Sequence, residues 1–361
     1  MMKKKIIIIV FVAIAVLLLL PVVYFTYCNA TMKGKHNEAA AAFLKENQYV
    51  INADDMQIPE AFGQKITMGK GYVFIFGELH GFSPTQMMDA QMLIYLNAKR
   101  GVRTYGAEIF SSNADELNEI LSADQLDENR LMAVIRDIAN DTPQVMTKDC
   151  FDKWKMIFLY NHEADAEHKI HVLGLLGDKQ AYAEHQRDKI MAQTLQAFAA
   201  DEANDAWTKN GCYCFVGIVH AFQSPYIIKG FKVMTFGSLL KQHQFNVTSM
   251  VQLAISSYCY LPKGSMVITP PDEATKMVSS NGPISYFTNI INLEKASKGV
   301  TTAIYSLGGK DTPFSSGHDF VGYRASVSFF GQPFTAEPSS STLDYFQYVF
   351  LIRDHQAPKP L

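Results

Sequence analysis

The run Tyr72-Val73-Phe74-Ile75-Phe76, closed by Gly77-Glu78-Leu79-His80-Gly81, constrains the fold more than any other stretch of the chain. Consecutive aromatic and β-branched residues of this kind read as a strand buried on both faces, as in parallel sheets. Met87–Lys99 then carries apolar residues at helical spacing and stops at Gly101, and Val102–Ala107 is the next apolar run, ending on Glu108. Strand, helix and strand in that order make a βαβ unit, whose strands are parallel. The strands therefore end at one edge, where open α/β sheets bind their ligands. Glu78 and His80 are two residues apart, so both project to one side while the chain stays extended, and the flanking glycines permit a sharp turn around them. Taken alone, the pentapeptide also fits a plain loop histidine beside a helix-capping acid.

Later strand ends continue the pattern. Ile170–Leu176 closes on Gly177-Asp178, and Cys212–Val219 closes on His220. Between them a helix is expected over Ala181–Ala199, with Arg187 and Asp188 near its start. Phe231–Phe236, Asn246–Ile255 and Asp344–Ile352 read as further strands. Asn113–Asn140 and Lys148–His168 are helical in pattern and form an insertion at about 113–168. Leu261–Ser341, rich in Gly, Pro and Ser, reads as loop with short helices bordering the pocket. The expected fold is α/β, with a mainly parallel central sheet flanked by helices and a helical insertion, all within 71–355. Residues 31–70 read as a tether with a leading helix at Glu38–Glu46, and Gln356–Leu361 as a disordered tail.

The first 30 residues differ from the rest. Lys3, Lys4 and Lys5 precede Ile6–Tyr27, in which Thr26 is the only polar side chain. A run of roughly 22 residues is long enough to span a bilayer as a helix. Basic residues on its amino side predict a cytoplasmic amino terminus and an exported remainder. The alternative is a signal peptide cleaved near Ala30. Five cysteines (Cys28, Cys150, Cys212, Cys214, Cys259) show no small-domain disulfide spacing, and Cys212 and Cys214 read as packing residues. Three Asn-x-Thr triplets begin at Asn29, Asn140 and Asn246. The net charge of −3 and the absence of a basic stripe argue against a nucleic-acid partner.

Glu78, His80, Glu108 and His220, with Arg187, are the candidate catalytic groups. Imidazole has the one unperturbed side-chain pKa near neutrality, so His80 suits a general base that deprotonates water. Glu78 and Glu108 would orient that water, while His220 and Arg187 would stabilise an oxyanion. Asp178 and Tyr182 are candidate substrate contacts. No Gly-x-Ser-x-Gly elbow supplies a serine nucleophile. The same four acids and imidazoles suit a divalent metal by ligand type, and His80 or His220 suits haem as an axial ligand.

Gly77–Gly81, Glu108, Gly177-Asp178, Arg187-Asp188-Lys189-Ile190-Met191-Ala192, Val216-Gly217-Ile218-Val219-His220-Ala221 and Tyr345–Ile352 together resemble the erythromycin esterase-like and ChaN-like superfamily, which extends to haem-uptake and TIKI-related proteins. The resemblance covers Tyr72–Asp354 and is weakest over Leu261–Ser341. It implies a parallel sheet wrapped by helices, with a pocket at the strand carboxyl ends. Members of that group hydrolyse macrolide lactone esters, bind haem or act as metal-dependent peptidases. The expectation is thus an exported, membrane-anchored hydrolase acting on an ester or amide in a small molecule or peptide. A haem- or metal-binding protein, or a metal-dependent peptidase, is the alternative.

Overall fold

A computed structural model describes residues 2–264, 269–282, 285–325 and 334–361. Eight strands form its main sheet, in the order Gln48–Val50, Thr302–Ser306, Tyr348–Arg353, Asn246–Ile255, Tyr72–Glu78, Cys212–Gly217, Thr104–Ala107, His171–Gly174. From Tyr348–Arg353 to His171–Gly174 every neighbour is parallel. Gln48–Val50 and Thr302–Ser306 pair antiparallel at the other edge. A second, wholly antiparallel sheet joins Ser285–Phe287, Gly322–Ala325, Phe334–Ala336, Tyr226–Ile228 and Phe231–Val233. The architecture is therefore an α/β fold with a large mixed sheet flanked by helices. The mainly parallel reading is corrected: over all described strands, antiparallel pairs outnumber parallel ones.

Each face of the main sheet buries its own core. Along Tyr72–Glu78, Phe74 and Phe76 point into one core and Val73 and Ile75 into the other, the two-residue period of a strand. Thr85–Arg100 and Lys148–Glu163 pack together over the first face, supplying Met88, Leu93 and Trp154. Arg187–Ala200 and Phe236–Gln242 cover the second with Met191, Leu195, Phe236 and Leu240. Each fully buried Phe contributes about 1.5–3 kcal/mol, so this double-sided core holds the strand ends in fixed register.

Several expectations change. The segment 31–70 is more than a tether: Glu38–Glu46 is a helix as expected, but Gln48–Val50 is an edge strand and Leu44, Phe62 and Ile66 are buried. The stretch 261–341 contributes Thr302–Ser306 to the main sheet, together with short antiparallel strands. These strands are too short for their alternation to register in sequence. Parts of the expected loop, 265–268, 283–284 and 326–333, lie outside the described residues. The tail is not loose, since Lys148 N–H donates to the Lys359 carbonyl at 2.8 Å and Pro360 bridges Thr147. Cys150, Cys212, Cys214 and Cys259 are buried free thiols. At the amino end, the Met2–Thr31 helix contains an apolar stretch, Lys4–Tyr24, long enough to cross a membrane as a signal anchor or signal sequence would.

Candidate active site

Three strand ends and one helix start build the site. Glu78, the last residue of its strand, continues the face of Phe74 and Phe76 and is buried. The chain then turns: Leu79 N–H donates to Gln252 Oε1 at 2.9 Å, Tyr260 N–H donates to the Gly81 carbonyl at 2.7 Å, and Gly81 takes φ +82°. That turn fixes His80 in space. Its Nδ1 lies 2.8 Å from Glu78 Oε1, while Gln86 Nε2 donates to Glu78 Oε2 at 3.0 Å.

On the neighbouring strand, Cys212–Gly217 runs into a tight turn, Ile218–Ala221, that carries His220. Gly77 permits this turn to lie against its strand, because a Cβ there would meet Ala221 Cβ at 2.7 Å and Ile218 Cα at 3.0 Å. His220 Nδ1 lies 2.7 Å from Asp188 Oδ1, which also accepts the Phe236 N–H at 2.6 Å. His220 Nε2 lies 3.4 Å from Glu108 Oε1. Arg187 donates to that same oxygen at 3.1 Å, and Gly217 N–H donates to Glu108 Oε2 at 2.7 Å.

Gly217 is the point of convergence. A Cβ on it would lie 3.3 Å from His80 Nε2, 3.4 Å from His220 Cδ2 and 3.5 Å from Glu108 Oε2. The two acid–imidazole pairs thus face one another across a residue without a side chain. A cleft opens beside them, lined by Glu78, His80, Glu108 and the apolar Ile138, Trp154 and Phe215.

Electrostatics separates the two histidines. Burial works against a charged His220, but Glu108 and Asp188 outweigh it and push its pKa up to about 9. At neutral pH it is an imidazolium. His80 is likewise opposed by burial and raised by Glu78 and, more weakly, by Glu108. For Glu108, burial acts upward, yet His220, His80, the Gly217 N–H and Arg187 hold its carboxyl below the usual value.

Of the sequence-derived candidates, Glu78, His80, Glu108, His220 and Arg187 are brought together. Tyr182 is attached at the rim: Arg187 Nε donates to its hydroxyl at 2.7 Å, and that hydroxyl donates to Glu184 at 2.6 Å. Asp178 is not part of the cluster. It is exposed, and its carboxylate accepts the Gln180 N–H at 2.8 Å within its own turn, so its strand-end position marks a turn. Arg187 sits at the first residue of Arg187–Ala200, later than the expected helix start. Among the described residues, no group of three His, Cys, Asp or Glu side chains is placed to hold a metal ion. The carboxylate oxygens of Glu78 and Glu108 are all taken by donors. The donor set does not fit the metal site expected from ligand type.

Sequence reasoning gave Asp188 no role at the site, although its place in the first turn of a helix beside Arg187 was a usable signal. Gln86 carried no signal, since an amide at the start of a helix is unremarkable until an acid is packed against it. Lys153, buried on the cleft wall, lay in a helix read only as part of the insertion.

No family model matches the chain, and no curated protein matches it. Solved structures do. A Bacillus cereus protein aligns with a TM-score of 0.58 at 10% identity, covering 91% of this chain and 100% of its own. A succinoglycan biosynthesis protein aligns with a TM-score of 0.59 at 11% identity, covering 90% of this chain and 99% of its own. An erythromycin esterase in its open conformation aligns with a TM-score of 0.47 at 10% identity, covering 87% and 99%. At these identities the first two relate the fold alone.

Proposed function

We propose that this chain is an exported, membrane-anchored hydrolase that cleaves an ester or amide bond with water activated by His80. The observation that carries the reading is the convergence of His80 Nε2, Glu108 and His220 on Gly217. Glu78 holds the His80 Nδ1–H, which leaves Nε2 as the base. His80 Nε2 takes a proton from water as the water oxygen attacks the carbonyl carbon. The oxyanion that forms is met by the His220 imidazolium and the Arg187 guanidinium, charges already fixed by Glu108 and Asp188, so little reorganisation is needed as negative charge develops. Collapse returns the proton from His80 to the leaving oxygen or nitrogen and releases the acid. In this reading Tyr182 and the cleft wall contact the substrate.

In this reading residues 6–27 lie in the lipid bilayer, with the three lysines on the cytoplasmic side. Turnover of a panel of p-nitrophenyl acyl esters and peptide anilides by the wild type, and its loss in His80→Ala, tests the assignment. A folded His80→Ala protein with undiminished turnover removes it. Retention in the membrane pellet after alkaline extraction tests the anchor. A Soret band on haem titration, with no turnover of any substrate, would favour the haem-binding alternative.

A further inference from the structure

The proposed mechanism leaves one buried charge cluster unused. Lys153 is 95% buried, its side chain being 5% exposed, and it lines the same cleft as Glu78 and His80. Its Nζ donates to Asp89 Oδ2 at 2.9 Å and to the Tyr105 hydroxyl at 3.1 Å. Tyr105 and Tyr213 in turn donate to Asp89 at 2.5 and 2.7 Å. Asp89 thus accepts three hydrogen bonds, while Lys153 has made two hydrogen bonds with three N–H groups. Around the ammonium are the rings of Phe215 at 4.7 Å and Trp154 at 4.9 Å, which line the cleft. A buried ion pair rarely stabilises a fold more than packed apolar residues of the same volume would. Placed on a cleft wall, this one has a recognition role to offer.

We propose that Lys153 is the specificity-determining group of the cleft: its third N–H donates to an uncharged carbonyl or hydroxyl oxygen on the apolar body of the substrate. The apolar body follows from Ile138, Trp154 and Phe215 on the walls. The uncharged oxygen follows from charge. Asp89 already balances the ammonium, and Glu78 and Glu108 line the same cleft, so a carboxylate would enter apolar surroundings uncompensated and against like charge. That this oxygen belongs to a substrate rests on the hydrolase reading, whereas its binding does not.

Trp154 and Trp207 are the only tryptophans of the chain, so in a Trp207→Phe background Trp154 emission reports on the cleft. Titration with 2-hexanone, 1-hexene and hexanoate separates the possibilities. The ketone is expected to bind saturably and about tenfold or more tighter than the alkene, the scale of a hydrogen bond from a charged donor, with hexanoate weaker than the ketone. Lys153→Met combined with Asp89→Asn removes both charges together, and the ketone's advantage should shrink to about twofold while alkene binding holds. Equal affinities, hexanoate binding tightest, or an advantage that survives the double variant would each overturn the proposal. If the double variant does not fold, the three wild-type titrations decide. His80→Ala should keep ketone binding whatever it does to turnover, so loss of the hydrolase reading and loss of this one are told apart.

Discussion

The two histidine regions of the site are built from similar parts and end in different chemical states. His80 has one carboxylate against its ring, and its side chain is 35% exposed. His220 lies between Asp188 and Glu108, and its side chain is 14% exposed. A second carboxylate at low exposure fixes a proton on His220 up to about 9, so that ring serves as a cation. The ring with one partner and an open edge, raised less than His220, is the one that gives up its proton first. The difference teaches that an acid count around an imidazole assigns its role better than its position at a strand end does.

The largest effect is expected at the base. His80→Ala should lower kcat by about 10² to 10⁴, the usual range for losing a general base, with circular dichroism and thermal unfolding nearly unchanged. A larger loss in His220→Gln than in His80→Ala at pH 7 would reverse the comparison. Next comes Glu108→Gln, which removes the shared anion. Loss of its charge-assisted hydrogen bonds, about 1.5–3 kcal/mol each, should cost roughly 10- to 10²-fold in kcat. It should also bring the His220 pKa, followed by NMR, downward.

The pH profile sharpens the same contrast. Turnover should rise as His80 loses its proton above the ordinary imidazole value, then fall as His220 deprotonates near about 9. Asp188→Asn should pull the descending limb to lower pH and leave the ascending limb in place. Stability follows the sign of the shift. The folded His220 pKa lies above the unfolded value of about 6.5, so its contribution is complete below that pH and is lost as pH rises through about 9. Denaturant titrations should therefore show wild type and His220→Gln furthest apart near pH 6 and closer together by pH 10. Equal separation at both would mean that His220 is not held charged. The smallest effect is expected for Gly217→Ala. Its Cβ would sit 3.3 Å from His80 Nε2, so that ring must give by a few tenths of an ångström, which should cost a few-fold in kcat with little change in unfolding midpoint.

Much of this site was legible in the chain because parallel strands deliver their ends to one edge. Glu78, His80, Glu108 and His220 could be named from strand ends alone, and Arg187 from its place near the start of the helix that follows the third. The same rule failed for Asp178. A strand end fixes where a residue begins, but its side chain turned to bond Gln180 N–H within its own turn. Thr302–Ser306 was missed for a different reason: a five-residue strand inside a Gly-, Pro- and Ser-rich stretch offers too few alternations to stand out from loop.

The sequence by itself determined the apolar amino-terminal helix, the βαβ start and the set of acids and imidazoles at successive strand ends, since these follow from local hydrophobic pattern and from the geometry of parallel strands. Only the tertiary structure decided which carboxylate holds which ring and that His220 has two such partners where His80 has one. It also decided that Lys153 and Asp89 are buried together on the cleft wall and that antiparallel strands complete the sheets. Those outcomes depend on distances between residues far apart in the chain, and pKa shifts and buried ion pairs arise from those distances and from the exclusion of water.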